Sequence, residues 1–170
     1  MAERDALNDQ AAQAADISTG REESIRPLLH VIVVTGDRIV YEGRVERVVL
    51  LAAYGQIAVL PHHAPLLAAL EPGELMVRRG EDEEILAVGG GFVEVRENQV
   101  IVLADTAERA EEIDVARAEE ARRRAQLLMA QYRGRPEYAA AWLALRRSRA
   151  RLRAAARLHG RSSPLGGSRF

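Results

Sequence analysis

The chain has 170 residues, which suits one domain with an appendage, and 48% of them are hydrophobic, enough to bury a core. Cysteine is absent, which excludes disulfides, thiolate metal sites and a cysteine nucleophile, and no apolar run is long enough to cross a bilayer. The net charge of -1 conceals a division, because residues 1–110 carry 19 acids and 10 arginines whereas residues 111–170 carry 6 acids and 14 arginines.

Residues 1–27 are polar and Ala-rich and lack the apolar segment of a secretory signal, so that we expect a mobile N-terminal extension. Short β-branched runs separated by turn residues then fill residues 28–107. They predict strands over residues 29–34, 39–41, 48–51, 57–60, 75–77, 85–88, 92–95 and 100–103. This spacing, without long helical periods between the runs, indicates an antiparallel β-sandwich or barrel. Several runs are apolar on both faces, which suits two sheets packed together.

The periodicity changes in residues 108–159. Apolar and small residues recur every three or four positions, which is the spacing of a helix face, first at Ala118, Ala121, Ala125, Leu128 and Tyr132. Gly134 and Pro136 then interrupt the pattern. The same spacing resumes at Tyr138, Ala141, Leu145, Ser148, Leu152 and Ala155. Two helices joined by a short break form an antiparallel hairpin. Its Ala-rich seam buries little area, so we expect it to be held weakly and to open. Residues 160–170, rich in Gly and Ser, are expected to form a flexible tail.

The predicted fold class is therefore α+β, with an N-terminal antiparallel β-sandwich followed by a C-terminal antiparallel two-helix hairpin. No active site or metal site is evident, so we predict a protein that is not an enzyme. His62 and His63 lack further ligands at metal-binding spacing and are interpreted as a turn. Gly89-Gly90-Gly91 is followed by no Lys-Ser/Thr, which favours a turn or close sheet packing over a phosphate loop.

The arginines of the hairpin are the remaining candidates for chemistry. Arg117 and Arg124 lie two turns apart on one face of the first helix, and Arg147 and Arg151 share a face of the second. Folding of the hairpin would bring both pairs into one patch able to hold a polyphosphate. Two alternatives stay open, a solvated helix face and an Arg-rich nucleic-acid-binding module. The acidic strand region and the few aromatic side chains available for stacking argue against the second.

Four motifs in this order resemble the epsilon subunit of the bacterial F-type ATP synthase: LPHHAPLL (residues 60–67), PGEL (72–75), GGFVEV (90–95) and VLADTA (102–107). The resemblance covers about residues 28–158. It implies a non-catalytic rotor subunit on the cytoplasmic face of the bacterial cell membrane, reaching the membrane only through partners and binding no nucleic acid. Its sandwich is expected to lie against the gamma subunit and the c-ring in proton-driven ATP synthesis. Its hairpin is expected either to fold on the sandwich or to extend toward the alpha/beta catalytic head, where it inhibits ATP hydrolysis.

The resemblance also implies site residues, with ATP as a regulatory ligand and no required cofactor. The family's ATP motif, Ile/Leu-Asp-x-x-Arg-Ala, is matched by residues 113–118, and the implied nucleotide-binding residues are Glu108, Ile113, Asp114, Arg117, Ala118, Arg124, Arg147 and Arg151. The implied partner-contact residues are Tyr54, Gly55, His62 and His63. Two positions there depart from the family. A Gly-x-Leu-Gly-like stretch is replaced by Gly55-Gln56-Ile57-Ala58, and His62 stands where the family has Gly, which is tolerated if the backbone needs no positive φ.

Overall fold

The computed structural model describes residues 27–162, in which eight strands precede two helices. The strands are β1 (Leu29–Val34), β2 (Ile39–Val45), β3 (Arg47–Ala52), β4 (Gly55–Val59), β5 (Leu66–Arg79), β6 (Asp82–Arg96), β7 (Gln99–Ala104) and β8 (Ala107–Arg109). A 3₁₀ turn, Ala110–Glu112, leads into α1 (Val115–Gln131) and α2 (Glu137–Ser162). The predicted extension up to residue 26, and the predicted tail from residue 163 on, lie outside the described residues.

The strands pair in the order β2-β1-β7-β6-β5-β3-β4, with β8 added to β6. All pairs in this order are antiparallel except β1–β7, which is parallel. Inward-facing side chains alternate along the strands, as in the burial of Leu29, Val31 and Val33 on β1. One buried cluster draws residues from β1 to β7, so the sheet folds over on itself around a single aliphatic core. The predicted β-sandwich is thereby confirmed.

The longest strands differ most from the sequence prediction. The runs predicted over residues 85–88 and 92–95 are parts of one strand, β6, which passes straight through the three glycines. Gly91 has φ +123°, and a Cβ there would lie 2.1 Å from the Leu103 carbonyl oxygen of the neighbouring strand. Close sheet packing therefore accounts for the glycines, and the alternative of a turn is wrong.

Strand β5 begins at Leu66, nine residues before the predicted run, and it includes Pro72. Proline lacks the N–H that a central strand donates. Its pairing with β3 is interrupted between Leu70 and Met76, so Pro72 lies where the ladder to β3 is already irregular. Strand β2 likewise continues through Glu42 and Gly43, which had been interpreted as its end.

Some strands are apolar on both faces because the outer face of β5 and β6 is also buried. Met76, Ile85 and Ala87 face away from the sandwich core and form a second buried cluster with the hairpin. Ala154 and Ala155 of α2 complete this cluster from above. The second apolar face is thus covered by a helix, and not by a second sheet as the pattern had suggested.

The hairpin forms as predicted, with its break between Gln131 and Glu137. Gly134 has φ +78°, a conformation that glycine adopts without strain, and it lies in the turn between the helices. Helix α2 runs to Ser162 and therefore includes Gly160, which the sequence had placed in the tail. No helix within residues 27–162 is long and apolar enough to span a membrane.

Candidate functional site

The predicted polyphosphate site coincides with a cleft of about 510 Å³ between β8, the start of α1 and the middle of α2. Six of the eight predicted residues line it: Glu108, Asp114, Arg117, Ala118, Arg124 and Arg151. Three lining residues were missed: Glu112, Glu120 and Ala121. Of these, Glu120 could have been predicted from the sequence, because it lies four residues before Arg124 on the same helix face.

The start of α1 positions the motif residues. Asp114 is the N-cap residue, and its Oδ1 accepts a hydrogen bond of 3.0 Å from the backbone N–H of Arg117. This cap fixes where the helix begins, so that Arg117 and Arg124 both project on the cleft side. Ala118 is buried against the second cluster, and the small side chain of Ala121 leaves the cleft open.

Two ion pairs lie among the residues that line the cleft. Nε of Arg151 lies 2.9 Å from a carboxylate oxygen of Glu108, with both side chains about two-thirds buried. Arg124 pairs with Glu120 at 2.8 Å, but both are about 70% exposed, which makes this the weaker pair. Among residues 27–162, the guanidinium of Arg117 takes part in no ion pair. Four carboxylates and three arginines line the cleft, so an anion that contacts Arg124 or Arg151 has to displace a carboxylate, whereas one that contacts Arg117 does not.

The structure places two predicted residues outside the cleft. Ile113 is buried in the second apolar cluster, where it anchors the turn before α1. Arg147 points to the sandwich: its Nε donates to the Gly89 carbonyl oxygen at 2.9 Å, and its terminal nitrogen lies 3.0 Å from a carboxylate oxygen of Asp105. In the folded hairpin Arg147 therefore holds the helix to the sheet and does not line the cleft.

Arg147 belongs to a row of arginines along α2 that contacts the sandwich. Arg146 pairs with Glu71, and Arg153 and Arg157 lie 3.8 Å and 3.6 Å from carboxylate oxygens of Glu74. We call the five side chains Arg146, Arg147, Arg151, Arg153 and Arg157 the arginine row. The weak attachment expected from the Ala-rich seam is therefore only part of the contact. The sequence analysis placed Arg147 and Arg151 on one helix face but did not predict that the row contacts the sandwich, because its acidic partners lie more than 40 residues away in the chain.

The buried residues of the hairpin are small for the most part, as the predicted Ala-rich seam requires: Ala118, Ala125, Ala141, Leu145, Ser148, Ala150, Ala154 and Ala155. Of these, Ala118, Ala154 and Ala155 belong to the second cluster, which includes residues of the sandwich. The hydroxyl of Ser148 donates to the Leu145 carbonyl oxygen at 2.9 Å and is thereby satisfied within its own helix. Ala121, which had been assigned to the seam, is exposed at the cleft.

The predicted partner-contact residues occupy two turns of the sandwich. Tyr54 is 95% exposed, and Gly55 has φ +121° in the turn between β3 and β4. His62 has φ +65°, so the backbone does require the conformation that the family meets with glycine. Its N–H donates to Oδ1 of Asn98 at 2.6 Å, which ties this turn to the β6–β7 turn. Within residues 27–162 no group of three or more His, Asp or Glu side chains is placed to hold a metal ion.

Three large apolar side chains share the exposed face of β5, β6 and β7. Leu67, Phe92 and Leu103 are 74%, 56% and 57% exposed. Phe92 is paired directly with Leu103 on one side and with Ala69 on the other, and Leu67, which is paired with Glu94, lies diagonally across from Phe92. We call Leu67, Phe92 and Leu103 the sheet patch. A contiguous apolar surface of this kind is typical of an interaction site.

Comparison with known families and proteins agrees with this architecture. The family model for the beta-sandwich domain of the ATP synthase delta/epsilon chain matches residues 28–110. The model for the long alpha-helix domain of the same chain matches residues 111–156. The two matches meet at the 3₁₀ turn that joins the sandwich to the hairpin.

Individual relatives of the chain are also similar in sequence or structure. The ATP synthase epsilon chain of Halalkalibacterium halodurans is 43% identical over 132 residues, which cover 77% of this chain and 99% of the relative. That of Dehalococcoides mccartyi is 54% identical over 98 residues, covering 58% of this chain and 70% of the relative. A chain in the cryo-EM structure of the Euglena gracilis mitochondrial ATP synthase has the same fold, with a TM-score of 0.67 and 22% identity over 80% of this chain and 86% of that one. The protein therefore belongs to the ATP synthase delta/epsilon chain family, and within it to the epsilon chains.

Proposed function

We propose that this epsilon chain is a non-catalytic subunit in the central stalk of an F-type ATP synthase, with a sandwich that docks on the rotor and a hairpin that regulates ATP hydrolysis. The observation that carries the proposal is the folded hairpin, which closes a cleft lined by arginines from both helices over an apolar face of the sandwich. A hairpin of this kind can be closed or open, and a ligand shifts the equilibrium between the two forms by binding one of them more tightly than the other.

We propose ATP as the ligand of the cleft. Arg117 is available to a phosphate, and the exposed pair of Arg124 with Glu120 stabilises the helix by only about 0.3–0.5 kcal/mol, so it exchanges readily. The pair of Arg151 with Glu108 is more buried and exchanges at greater cost. Phosphate oxygens bridging Arg124 of α1 and Arg151 of α2 would favour the closed hairpin.

Calorimetric titration of the purified full chain with ATP up to millimolar concentrations tests this ligand. Arg117→Ala is expected to weaken binding about tenfold or more, since a charge-assisted hydrogen bond contributes about 1.5–3 kcal/mol. Glu120→Gln is expected to strengthen binding about twofold, because it removes the competitor of the phosphates for Arg124. Arg133→Ala, in the break between the helices, is the control for loss of one positive charge. Absence of binding by the unsubstituted chain, or equal effects of Arg117→Ala and Arg133→Ala, would contradict the proposed site.

Inhibition of hydrolysis by the hairpin is tested in the assembled enzyme. We expect a chain that ends at residue 107, which keeps β1 to β7, to support assembly and to give faster ATP hydrolysis than the full chain. The opened hairpin presents the basic α2 to the catalytic head, and charge complementarity favours docking of this kind. If hydrolysis by the two assemblies is the same, the hairpin does not act as an inhibitor.

Docking on the rotor is assigned to the sheet patch and to the turns at Tyr54 and His62, and this association would hold the chain at the cytoplasmic face of the bacterial membrane. Phe92→Glu combined with Leu103→Glu is expected to abolish co-purification with the gamma subunit and c-ring, because it places two charges in an apolar contact. Leu127→Glu, at a residue 72% exposed on α1, is the matched control. Retained association of the double variant would exclude the sheet patch.

The alternative of a nucleic-acid-binding module has no support. It requires the arginines of α2 to face a phosphate backbone, whereas the arginine row faces the acids of the sandwich.

A further inference from the structure

A second groove runs along the hairpin on the side away from the cleft. It has a volume of about 680 Å³ and is lined by Val115, Glu119, Arg122, Arg149, Leu152, Arg153, Ala155, Ala156 and His159. Val115, in the first turn of α1, has an apolar side chain that is 44% exposed. With Leu152 and Ala156 of α2 it forms an apolar floor that spans both helices. An occupant of this groove would therefore touch α1 and α2 at the same time.

The rim of the groove is positively charged. Three arginines and one carboxylate line it: Arg122 pairs with Glu119 at 2.7 Å, and Arg153 lies 3.8 Å from Glu74 of the sandwich. Within residues 27–162 Arg149 makes no ion pair, and Nε of Arg122 is buried without a hydrogen-bond partner. An apolar floor with a basic rim fits a peptide that carries both apolar and acidic side chains.

We propose that the occupant is the chain's own N-terminal segment, residues 1–26. This segment has six acidic residues and three arginines, and its large aliphatic side chains are Leu7, Ile17 and Ile25. Residues 163–170, the other part of the chain outside the described range, contain one arginine and no acid, so their charge does not complement the rim. The assignment is independent of ATP binding and of the role in the rotor.

The length of the segment allows the contact. A chain of this length has a root-mean-square span of about 28 Å, compared with a radius of gyration of about 14 Å for a domain of the described size. A tethered segment experiences an effective concentration on the order of 1 mM. With an intrinsic Kd of about 0.1 mM it would fill the groove about nine-tenths of the time. Since the contact bridges both helices, it would lower the equilibrium constant for opening of the hairpin by up to about tenfold.

Paramagnetic NMR on the full chain tests the contact, since the absence of cysteine allows a single nitroxide label at Ala12→Cys. We expect line broadening at the amides of Val115, Leu152 and Ala156, and much less at Arg117 and Arg124 in the cleft. Replacement of the six acids of residues 1–26 by their amides is expected to reduce the broadening at the groove several-fold. Deletion of residues 1–26 is expected to raise amide exchange in α2 by up to about tenfold.

Ala156→Trp fills the groove and is expected to abolish the broadening, whereas Ala144→Trp, at another exposed alanine of the same helix, is expected to leave it unchanged. The proposal is overturned if both variants behave alike, or if broadening is spread evenly over the surface or is strongest at the sheet patch. It is also overturned if a label at Ser168→Cys broadens the groove more than the label at Ala12→Cys, which would make the C-terminal residues the occupant.

Discussion

Replacing Arg147 by methionine is the sharpest perturbation of the folded hairpin. The guanidinium joins α2 to two separate points of the sandwich, the Gly89 carbonyl oxygen and the Asp105 carboxylate. Methionine keeps most of the aliphatic stem and removes only the charged head, so packing at the stem is largely retained. The change therefore isolates the polar attachment of the helix.

The expected magnitude follows from these two contacts. The hydrogen bond of a charged donor to a buried carbonyl contributes about 1.5–3 kcal/mol. The pair with Asp105, whose side chain is 56% exposed, adds about 0–1 kcal/mol. Together they predict that the free energy of opening the hairpin falls by about 1.5–4 kcal/mol. At 1.4 kcal/mol per factor of ten, the opening equilibrium rises about 10–700-fold.

Amide hydrogen exchange in α2 measures this equilibrium directly, even when the open form is too rare to detect by other means. The buried residues Ala150 and Ala154 are suitable reporters. Arg133→Met is the control, because it removes the same charge at an exposed position in the break between the helices. If exchange in the Arg147→Met variant rises less than about threefold, or no more than in the control, Arg147 does not hold the hairpin to the sandwich.

Three further predictions concern the sandwich. His62→Gly is expected to raise the free energy of unfolding by about 1 kcal/mol in chemical denaturation, because it relieves a φ of +65°, whereas the neighbouring His63→Gly should lower it. Gly91→Ala is expected to reduce the free energy of unfolding by about 3 kcal/mol or more, and so to lower the melting temperature, because its Cβ would lie 2.1 Å from a carbonyl oxygen. Gly36→Ala is the control and should have little effect, because a Cβ there meets nothing within 4 Å. Burial raises the pKa of the Tyr41 hydroxyl, so stability should fall as the pH rises through about 10, and a Tyr41→Phe variant should lose this component of the alkaline slope.

Local patterns in the sequence were sufficient to predict the architecture. Hydrophobic alternation located most strands, and the step of three and four residues located both helices, since each pattern reports one buried face. The limits of β5 and β6 were not predicted, because Pro72 and Gly91 are residues that commonly end a strand. Whether a strand continues through them depends on the neighbouring strands. Likewise, the position of Gly160 within α2 was not evident from composition.

The candidate site could be predicted in part for a similar reason. Asp114, Arg117 and Arg124 lie on one helix, and helical spacing brings them together. Whether Arg147 joins them depends on how α2 is rotated against the sandwich, which helical periodicity alone does not determine. The acid partners of the arginine row come from the ends of separate strands, so their convergence is a property of the folded chain. The positive φ at His62 is also set by tertiary context, through its hydrogen bond to Asn98.

The arginine row changes what a nucleotide can do to this hairpin. Opening exposes Met76, Ile85 and Ala87 and also separates arginines from four acids of the sandwich, so closure has its own stability without a ligand. ATP would have to displace Glu108 from Arg151, which offsets part of what its phosphates contribute. The nucleotide would then adjust an equilibrium between the open and closed hairpin in which contacts with the sandwich already favour the closed form. An open form would need a compensating acidic surface for the same arginines, and this would link release of the hairpin to the proposed docking on the catalytic head.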